Sequence, residues 1–400
     1  MTREVEFLNA NGVKLAGSLE LPPGRVRGVA LFAHCFTCTA QSHGARRVSM
    51  ALAEKGIATL RFDFTGLGKS EGAFADSHFA ANIGDLVAAA AHLRQTIGAP
   101  GILIGHSLGG AAVIAAAEHI PEAKAVVTIA APFDPAHSLH QLDAESAARI
   151  EAEGEGPVKI GGRPFHVRRD FLHSVEGQDQ AARLAHLKKA LLVLHAPTDS
   201  TVGIDNARAI FDAARHPKSF VSLDNADHLL TSVQSAAYAA SIIAAWVDPF
   251  LGPAQEPDAL PEGCVRVASG GGPFVQLIDA SGHSFLADEP VRAGGGDLGP
   301  TPYDLLLSAL GACTAMTIQI VAKAENIPVE GVSVLLRHER RHADDSAAAG
   351  HPKLEVLHRA ISLEGDLTPQ QRDRMLVIAN KCPVHRTIEN GPAIETVLID

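Results

Sequence analysis

The sequence predicts two domains: an α/β domain with a mostly parallel sheet wrapped by helices, followed by a smaller α+β domain. Three observations support this prediction. Apolar strand patterns alternate with helical patterns over the first two-thirds of the chain. A Pro-rich stretch at 252–263 has the composition of a linker, and the pattern changes beyond it. The length, 400 residues, also exceeds what one hydrophobic core usually supports.

The first domain, expected over residues 1–251, opens with a hairpin that turns at Asn11-Gly12, a strong hairpin signal. Apolar strand patterns follow at six places: VALFAH, IATLRFDF, GILIGHS, AVVTIAAP, ALLVLHAP and FVSLDNA. Helical patterns such as GARRVSMALAEKG separate most of them, which indicates strands buried on both faces with helical crossovers. Residues from about 135 to 185 are charged and Gly-rich, so a cap could be inserted over the site there.

The second domain is expected over residues 264–400. Strand patterns CVRVAS and PFVQLID precede a long apolar helix, and VEGVSVLLRHE, a further strand and the helix TPQQRDRMLVIANK follow it. The uncharged run 305–322 just reaches the lower limit for a membrane-spanning helix. Because this run includes Ser, Gly, Gln and Thr, we expect a helix buried on all sides inside the protein, and no membrane span.

The composition narrows the class of protein. A net charge of −11 argues against broad nucleic-acid binding, which needs a concentrated basic surface. Five cysteines at different kinds of site do not form a secreted disulfide framework, and neither end has the pattern of a signal or transit peptide. We therefore expect a cytoplasmic enzyme with a few specialised thiols that acts on small molecules without a cofactor.

One decapeptide, GILIGHSLGG, places Ser107 in a G-x-S-x-G motif between a strand and a helix. Such a turn exposes the serine hydroxyl as a nucleophile, and the N–H of Leu108 at the helix N-terminus would stabilise a developing oxyanion. The serine needs a base and the base needs an orienting acid. Asp199 and His228, in loops that follow two of the strands, are the preferred pair. Competing candidates are Asp205, Asp224, Asp227 and His195.

With these motifs, residues 1–250 resemble an α/β-hydrolase. The resemblance implies an oxyanion loop at His34-Cys35-Phe36, with the N–H of Phe36 as the second donor, and Cys35 stands where the family has Gly. It also identifies FDFTGLGKSEG as the family's structural turn after the fourth strand. Ester or thioester hydrolysis through an acyl-enzyme is the reaction that the resemblance implies.

Cys35 and Cys38 form a C-x-x-C, a spacing found in redox pairs and in metal sites. A working oxyanion loop must be fixed, whereas an exchanging dithiol must be accessible. We therefore favour the oxyanion loop over a redox or metal role for this segment.

Two further cysteines lie in the second domain. Cys313 is in the long apolar helix, where a cysteine is most often a small core residue. Cys382 is followed by Pro383, which favours the first position of a helix, so Cys382 is expected at a helix N-cap. There the helix dipole and the neighbouring basic residues would stabilise a thiolate.

The segments PYDLLLSALGACTAMT and ANKCPVHRTIE resemble the two cysteine motifs of the OsmC and organic-hydroperoxide-resistance family, over roughly 264–400. The resemblance implies a homodimer of swapped chains with its sites at the dimer interface. It also implies that Cys313 attacks a peroxide and that Cys382 resolves the sulfenic acid as a disulfide. A lipoyl-type dithiol would then reduce that disulfide.

Two features of the family's reductases are missing. Ten residues before Cys313, where the reductases have Glu, stands Tyr303, followed by Asp304. The N-terminal hairpin has no Arg in its turn, and Arg266 and Arg292 are the nearby candidates. The chain therefore resembles the broader OsmC-like branch.

The string His338-Glu339-x-x-His342 has the spacing of a zinc-protease motif, which works only on a helix. Because it follows the strand pattern VSVLLR, we interpret it as a solvated strand end, and no metal site is predicted. The sequence thus predicts a serine hydrolase fused to an OsmC-like thiol peroxidase. Two alternatives stay open: an esterase whose OsmC-like domain only dimerises or binds a ligand, and a hydrolase domain that only binds.

Overall fold

The computed structural model describes residues 1–35, 38–160, 163–251, 259–340 and 355–398. The chain divides into two compact units. The first comprises 1–266 with 270–272 and 279–284, and the second comprises 267–269, 273–278 and 285–400. The domain boundaries drawn from the sequence, at 251 and 264, stay predictions.

An eight-stranded, mostly parallel sheet forms the centre of the first unit, which confirms the predicted α/β class. The strands of this unit are β1 (Thr2–Leu8), β2 (Lys14–Glu20), β3 (Gly28–Ala33), β4 (Ile57–Phe62), β5 (Ile102–His106), β6 (Ala125–Ile129), β7 (Glu155–Ile160), β8 (Arg163–Arg168), β9 (Ala190–His195) and β10 (Lys218–Ser222). The sheet runs in the order β1-β2-β4-β3-β5-β6-β9-β10, and β7 and β8 form a separate hairpin. β1 and β2 pair antiparallel with Leu8 opposite Lys14, so the hairpin predicted at Asn11-Gly12 is confirmed.

Helices cover both faces of this sheet. They are α1 (His43–Glu54), α2 (Phe79–Thr96), α3 (Leu108–Ala116), α4 (Ala144–Glu153), α5 (Arg169–Val175), α6 (Gln180–Ala185), α7 (Asp205–Ala213) and α8 (Val233–Val247). Short 3₁₀ turns span Phe74–Asp76, Ala117–His119, Pro135–Gln141 and Asp248–Phe250. One buried cluster joins the sheet to α2 and α3, and another joins it to α1 and α8. The parallel strands β3, β4, β5, β6 and β9 are therefore buried on both faces, as their apolar runs predict, whereas β10 at the edge of the sheet is only partly buried.

The segment between β6 and β9 is folded and packed on the first unit. It carries α4, the β7–β8 hairpin, α5 and α6. Phe171 and Val175 of α5 are buried in the core, and the Phe165 ring of β8 lies 4.6 Å from that of Phe74. This segment coincides with the stretch in which the sequence allows a cap, and a role over the site stays a prediction.

The remaining elements belong to the C-terminal part of the chain. They are β11 (Val265–Ser269), β12 (Gln276–Ala280), β13 (His283–Ala287), a 3₁₀ turn (Val291–Ala293), α9 (Pro302–Ala324), β14 (Gly331–Arg340), β15 (Glu355–Glu364), α10 (Pro369–Ala379) and α11 (Pro383–Asn390). β11, β12 and β13 form a three-stranded sheet, and β14 pairs antiparallel with β15. Buried side chains of α9 and α10, among them Ile318 and Met375, share a small core. The sequence predicts an α+β arrangement here, and the structure has one.

The long helix α9 is less buried than expected. Within the described residues it is the helix whose length and composition would suffice to cross a membrane, which alone is weak support for a span. Only 28% of its most apolar stretch of 18 residues is buried. Met316 and Ile320 are 60% and 69% exposed. The expectation of a helix buried on all sides is therefore not met within one chain, because β14, α10 and α11 cover only part of its surface.

Candidate active sites

Ser107 occupies a sharp turn between β5 and α3. Its φ is 56°, an unusual value for a residue with a side chain. A Cβ at Gly105 would lie 2.3 Å from the carbonyl oxygen of Gly109, and one at Gly109 would lie 2.5 Å from that of His34. Only glycine fits at these two positions, which is the physical reason for the G-x-S-x-G pattern. The turn holds the serine at the C-terminal edge of the sheet.

A chain of hydrogen bonds links Ser107, His228 and Asp199. The Nε2 atom of His228 lies 3.1 Å from the Oγ of Ser107, and its Nδ1 lies 2.7 Å from the Oδ2 of Asp199. Because a carboxylate only accepts hydrogen bonds, Nδ1 carries the proton and Nε2 is left to accept the serine O–H. The order of groups is that of a nucleophile, a general base and an orienting acid.

The carboxylate of Asp199 is buried and fully engaged. Its Oδ1 accepts hydrogen bonds from the backbone N–H groups of Thr201 (2.8 Å) and Val202 (3.0 Å). Burial raises the pKa of Asp199, but the hydrogen bonds from His228 and from these N–H groups outweigh it and hold the pKa below its usual value. The acid is therefore ionised beside the imidazole.

The other acidic and imidazole candidates have different partners. The Asp227 carboxylate accepts hydrogen bonds from the N–H and hydroxyl of Thr231, Asp224 pairs with the Ser222 hydroxyl, and Asp205 lies in the first turn of α7. His195 is buried, and its Nε2 lies 2.8 Å from the carbonyl oxygen of Val202 and 3.8 Å from the Oδ2 of Asp199, farther than the Nδ1 of His228 at 2.7 Å. Each of these contacts is local and structural.

His106, the variable residue before the serine in the G-x-S-x-G motif, contacts the backbone of the catalytic base His228. Its Nε2 lies 2.6 Å from the carbonyl oxygen of His228, so Nε2–H donates to it. Burial, and then the neighbouring His228, lower the pKa of His106 to about 4, which keeps its ring neutral. Sequence reasoning missed this residue, because nothing in the motif separates it from an ordinary strand residue.

The loop expected to form the oxyanion hole is anchored on both sides of its central residues. Phe36, the predicted second donor, lies outside the described residues, whereas Leu108 begins α3 directly after the serine. Cys35 and Cys38 are joined by a disulfide. Further along, the N–H of Ala40 donates to the Asp63 carboxylate (2.6 Å). Asp63 belongs to the turn that the sequence identifies as structural, and it fixes the loop in this way.

A buried ion pair holds the same loop from the other side. Arg61 on β4 donates to the carbonyl oxygen of Ala40 (3.0 Å) and pairs with Glu20 on β2. Both charged side chains are almost fully buried. Ala40 is thus held through its N–H and its C=O, which limits how far the loop can shift.

A narrow cavity lies beside the serine turn. Its volume is about 10 Å³, room for about one water molecule. Its lining includes Cys35, Phe64, Leu67, Phe74, Leu108 and Ala112. The small volume next to Leu108 limits the size of any group that enters it.

Cys313 and Cys382 come together in the second unit. Cys313 is half-buried in the middle of α9, and Cys382 is buried at the N-cap of α11, as its Pro383 predicts. The Sγ of Cys382 accepts a hydrogen bond from the His385 N–H (3.3 Å) and lies 3.7 Å from the Thr314 hydroxyl.

Opposing influences act on the acidity of Cys382. Burial raises the pKa of this thiol. The N–H of His385, the Thr314 hydroxyl, the Cys313 thiol and the charge of Arg359 lower it, and the net pKa is below the usual value. The site therefore favours a thiolate in a buried position, with the Cys313 thiol among the groups that stabilise it.

Comparisons with known proteins match each part of the chain to a family. The family model described as "Serine aminopeptidase, S33" matches residues 24–158, and the model described as "OsmC-like protein" matches residues 294–397. The solved esterase domain of a Rhodothermus marinus protein is 44% identical with a TM-score of 0.53, and the match covers 63% of this chain and 100% of that chain. The chain is an α/β-hydrolase joined to an OsmC-like domain.

More distant relatives of the hydrolase domain support the same fold. A monoacylglycerol lipase of Mycolicibacterium smegmatis is 25% identical over 241 residues, which cover 52% of this chain and 83% of that protein. A Pseudomonas aeruginosa protein of known structure is 17% identical with a TM-score of 0.53, covers 63% of this chain and 94% of that chain, and shows the fold alone. The hydrolase domain is thus esterase- and lipase-like.

The residues considered as substitutes for the missing Arg and Glu of the OsmC-family reductases lie in structural settings of their own. Asp304 caps α9 by accepting hydrogen bonds from the N–H and hydroxyl of Thr301. The Tyr303 ring stacks on His338, with centroids 4.3 Å apart. Arg266 donates to Asp279, and Arg292 lies in the 3₁₀ turn before α9. The arginine that does lie close to Cys382 is Arg359 on β15, which sequence reasoning missed.

The zinc-protease spacing falls on a strand. His338 and Glu339 are consecutive residues of β14, so their side chains point to opposite faces. His338 pairs with Glu355, and His358 lies 2.6 Å from the Glu339 carboxylate. His342 lies outside the described residues. His338 and Glu339 thus form side-chain pairs with residues of the neighbouring strand β15.

Proposed function

We propose that the hydrolase domain cleaves carboxylic esters through an acyl-enzyme. His228 takes the proton of Ser107 as the serine oxygen attacks the ester carbonyl, and then gives it to the leaving alcohol. A water molecule, activated by the same imidazole, releases the acid. Asp199 keeps Nδ1 protonated and stabilises the imidazolium, and the Leu108 N–H, with that of Phe36 as the sequence suggests, receives the oxyanion.

The observation that carries this proposal is the hydrogen-bonded series from Ser107 through His228 to Asp199, at 3.1 and 2.7 Å. The likeness to an esterase domain and to a monoacylglycerol lipase supports an ester over an amide as the substrate. The cavity beside Leu108 supports short acyl groups, since it has room for about one water molecule.

Hydrolysis of p-nitrophenyl esters of increasing acyl length tests the proposal. We expect turnover to be highest for acetate and to fall through butyrate to octanoate. A fluorophosphonate should label the protein, and Ser107→Ala should abolish both labelling and turnover. Leu67→Ala, which enlarges the cavity, should shift the preference towards longer acyl groups. Labelling that persists in Ser107→Ala would contradict the assignment of the nucleophile.

For the OsmC-like domain we propose thiol-dependent reduction of peroxides. The Cys313 thiolate attacks the terminal peroxide oxygen, the O–O bond breaks, and the products are a sulfenic acid and an alcohol or water. The Cys382 thiolate then attacks the sulfenic sulfur, forming a disulfide and releasing water. A dithiol reductant, of the lipoyl type in related proteins, restores both thiols and is itself oxidised to a disulfide.

The position of Cys382 at a helix N-cap, with hydrogen bonds to its sulfur from the His385 N–H and at the Thr314 hydroxyl, supports this proposal over that of a binding module. Peroxide consumption with a dithiol such as dihydrolipoamide tests it: Cys313→Ser should abolish turnover, and Cys382→Ser should leave a sulfenic acid that dimedone traps. Unchanged peroxide consumption in Cys313→Ser would favour the alternative, in which the OsmC-like domain only dimerises or binds a ligand.

We also propose that the protein is a homodimer through its OsmC-like domain. Met316 and Ile320 on α9, and Leu335 on β14, are 60%, 69% and 75% exposed, more than a lone chain usually leaves open on neighbouring elements. Sedimentation or light scattering tests the assembly. We expect a dimer, and Met316→Lys with Ile320→Lys should yield a monomer, whereas Tyr238→Lys on α8 should not.

A further inference from the structure

Arg359 is held in place by oxygen atoms around the thiol site. Its Nη1 donates to the Oγ1 of Thr314 (2.7 Å) and to the carbonyl oxygen of Ala379 (3.1 Å), and its Nη2 donates to the Oδ1 of Asn380 (2.6 Å). Within the described ranges no carboxylate lies at ion-pair distance from it. The guanidinium group is therefore held in one orientation, and no acid in the described residues neutralises its charge.

Thr314 transmits this charge to the sulfur. A hydroxyl has one proton and two acceptor sites. Arg359 occupies one acceptor site, and the proton points either to the carbonyl oxygen of Leu310 (2.7 Å) or to the Sγ of Cys382 (3.7 Å). When Cys382 is a thiol, its S–H can donate to Thr314. When Cys382 is a thiolate, the hydroxyl can turn and donate to the sulfur, and the guanidinium makes that proton a better donor.

We propose that Arg359 is a positioning residue that, through Thr314, holds Cys382 as the thiolate for the resolving step. In that step the Cys382 sulfur forms a bond to the Cys313 sulfur, the S–O bond of the sulfenic acid breaks, and hydroxide leaves. The hydroxide takes the proton that Cys382 released, giving water, and no further oxidant or reductant is needed. The inference rests on the peroxide reduction proposed above for its chemistry, but not for its test.

The groups around Cys382 are few. α9 supplies Thr314 and the Cys313 thiol, β15 supplies Arg359, and α11 supplies its N-terminal N–H groups. The His385 side chain, on α11 itself, lies 3.3 Å from the Glu389 carboxylate. Lys381 and Arg386 lie close to Cys382 in the chain, but both side chains are exposed. The guanidinium of Arg359 instead reaches the sulfur through the Thr314 hydroxyl, so Arg359 is the charge to remove.

Ultraviolet absorbance of the thiolate tests the proposal in the full-length protein without any peroxide. The difference in thiolate absorbance between wild type and Cys382→Ser, followed from about pH 5 to pH 10, reports the titration of this buried thiol and needs no reagent to reach it. We expect Arg359→Met to move the midpoint up by about one pH unit, which is roughly tenfold less thiolate at neutral pH. Arg359→Lys should restore about half of the shift, since the charge returns without the forked geometry.

Two further variants separate this role from a structural one. Thr314→Val keeps the side-chain volume and the arginine but removes the hydroxyl, and should also move the Cys382 midpoint upwards. Arg372→Met is the matched control, because Arg372 on α10 donates to the carbonyl oxygen of Leu363, and should leave the midpoint in place. In single-turnover reactions with peroxide, Arg359→Met should form the sulfenic acid at the normal rate and convert it to disulfide about tenfold more slowly.

The outcomes are distinguishable. A Cys382 midpoint that stays in place in both Arg359→Met and Thr314→Val would overturn the inference, as would an equal shift in Arg372→Met. A protein that shows the shift but consumes no peroxide would overturn the proposed peroxide reduction and leave the assignment of Arg359 intact.

Discussion

Replacing Asp199 by Asn tests whether His228 acts as the base, because the Asp199 carboxylate determines which ring nitrogen of His228 carries the proton. The Oδ1 of Asp199 accepts two backbone N–H groups, from Thr201 and Val202, while Oδ2 accepts the Nδ1–H of His228. An asparagine must keep its oxygen towards the two N–H groups, so its NH₂ group faces Nδ1. The imidazole then has to carry its proton on Nε2, where it faces the hydroxyl of Ser107 as a donor and cannot accept the serine proton.

The expected loss follows from that change of tautomer. In a serine triad the same exchange lowers kcat by about 10⁴, or about 5 kcal/mol of transition-state stabilisation. We expect a loss of that order in p-nitrophenyl acetate hydrolysis, with KM changed by less than about threefold, because the substrate contacts stay in place. Raising the pH should recover part of the rate, since hydroxide can then replace the base.

Asp227→Asn is the matched control, because Asp227 adjoins His228 in the chain but its carboxylate caps the N–H and hydroxyl of Thr231. It should retain wild-type kcat within about twofold, as a change at an exposed, local contact. A kcat for Asp199→Asn within tenfold of wild type, or an equal loss in Asp227→Asn, would refute the reasoning.

Three other predictions concern the supports of the site. Arg61→Met leaves Glu20 buried and unpaired, so the free energy of unfolding in urea should fall by about 3–5 kcal/mol, and Arg61→Met with Glu20→Leu should lose less. The native pKa of His106, about 4, lies below its ordinary 6.5, so the unfolded chain binds the proton first as the pH falls. Stability is then complete above about pH 6.5 and drops by about 3 kcal/mol by pH 4, and His106→Gln should flatten this dependence in melts across that range. The Cys35–Cys38 disulfide closes a very short loop, so Cys35→Ser with Cys38→Ser should lower the free energy of unfolding by at most about 2 kcal/mol. Wild type reduced with dithiothreitol should unfold at the same urea concentration as this variant. A larger loss would show that the disulfide supports more than its own turn.

The fold was predictable because its signals are local. The central parallel strands are largely apolar runs, and the serine turn consists of consecutive residues in which only glycine fits at 105 and 109. Asp199 and His228 could be placed because parallel strands present their C-terminal ends at one edge of the sheet. His106 and Arg359 could not be placed. Each acts through a hydrogen bond to a residue distant in the chain, and a histidine before the serine or an arginine in an alternating strand has no sequence signature of that role.

The exposure of α9 shows a second limit of the sequence. The polar residues in this uncharged run argue against a membrane span, but its composition does not separate a helix covered by its own chain from one covered by a second chain. The thiol site narrows the choice. Thr314 and Cys313 lie on this helix, and Thr314 is buried against Arg359 and Cys382, which lie on β15 and α11 of the same chain. One face of α9 therefore carries polar chemistry that a lipid environment would penalise. Met316 and Ile320, three and seven residues after Cys313, lie on the side of the helix that Cys313 borders, and both are exposed. The exposed apolar side of α9 therefore adjoins the thiol site, which is the arrangement expected if a second copy of the chain packs beside that site.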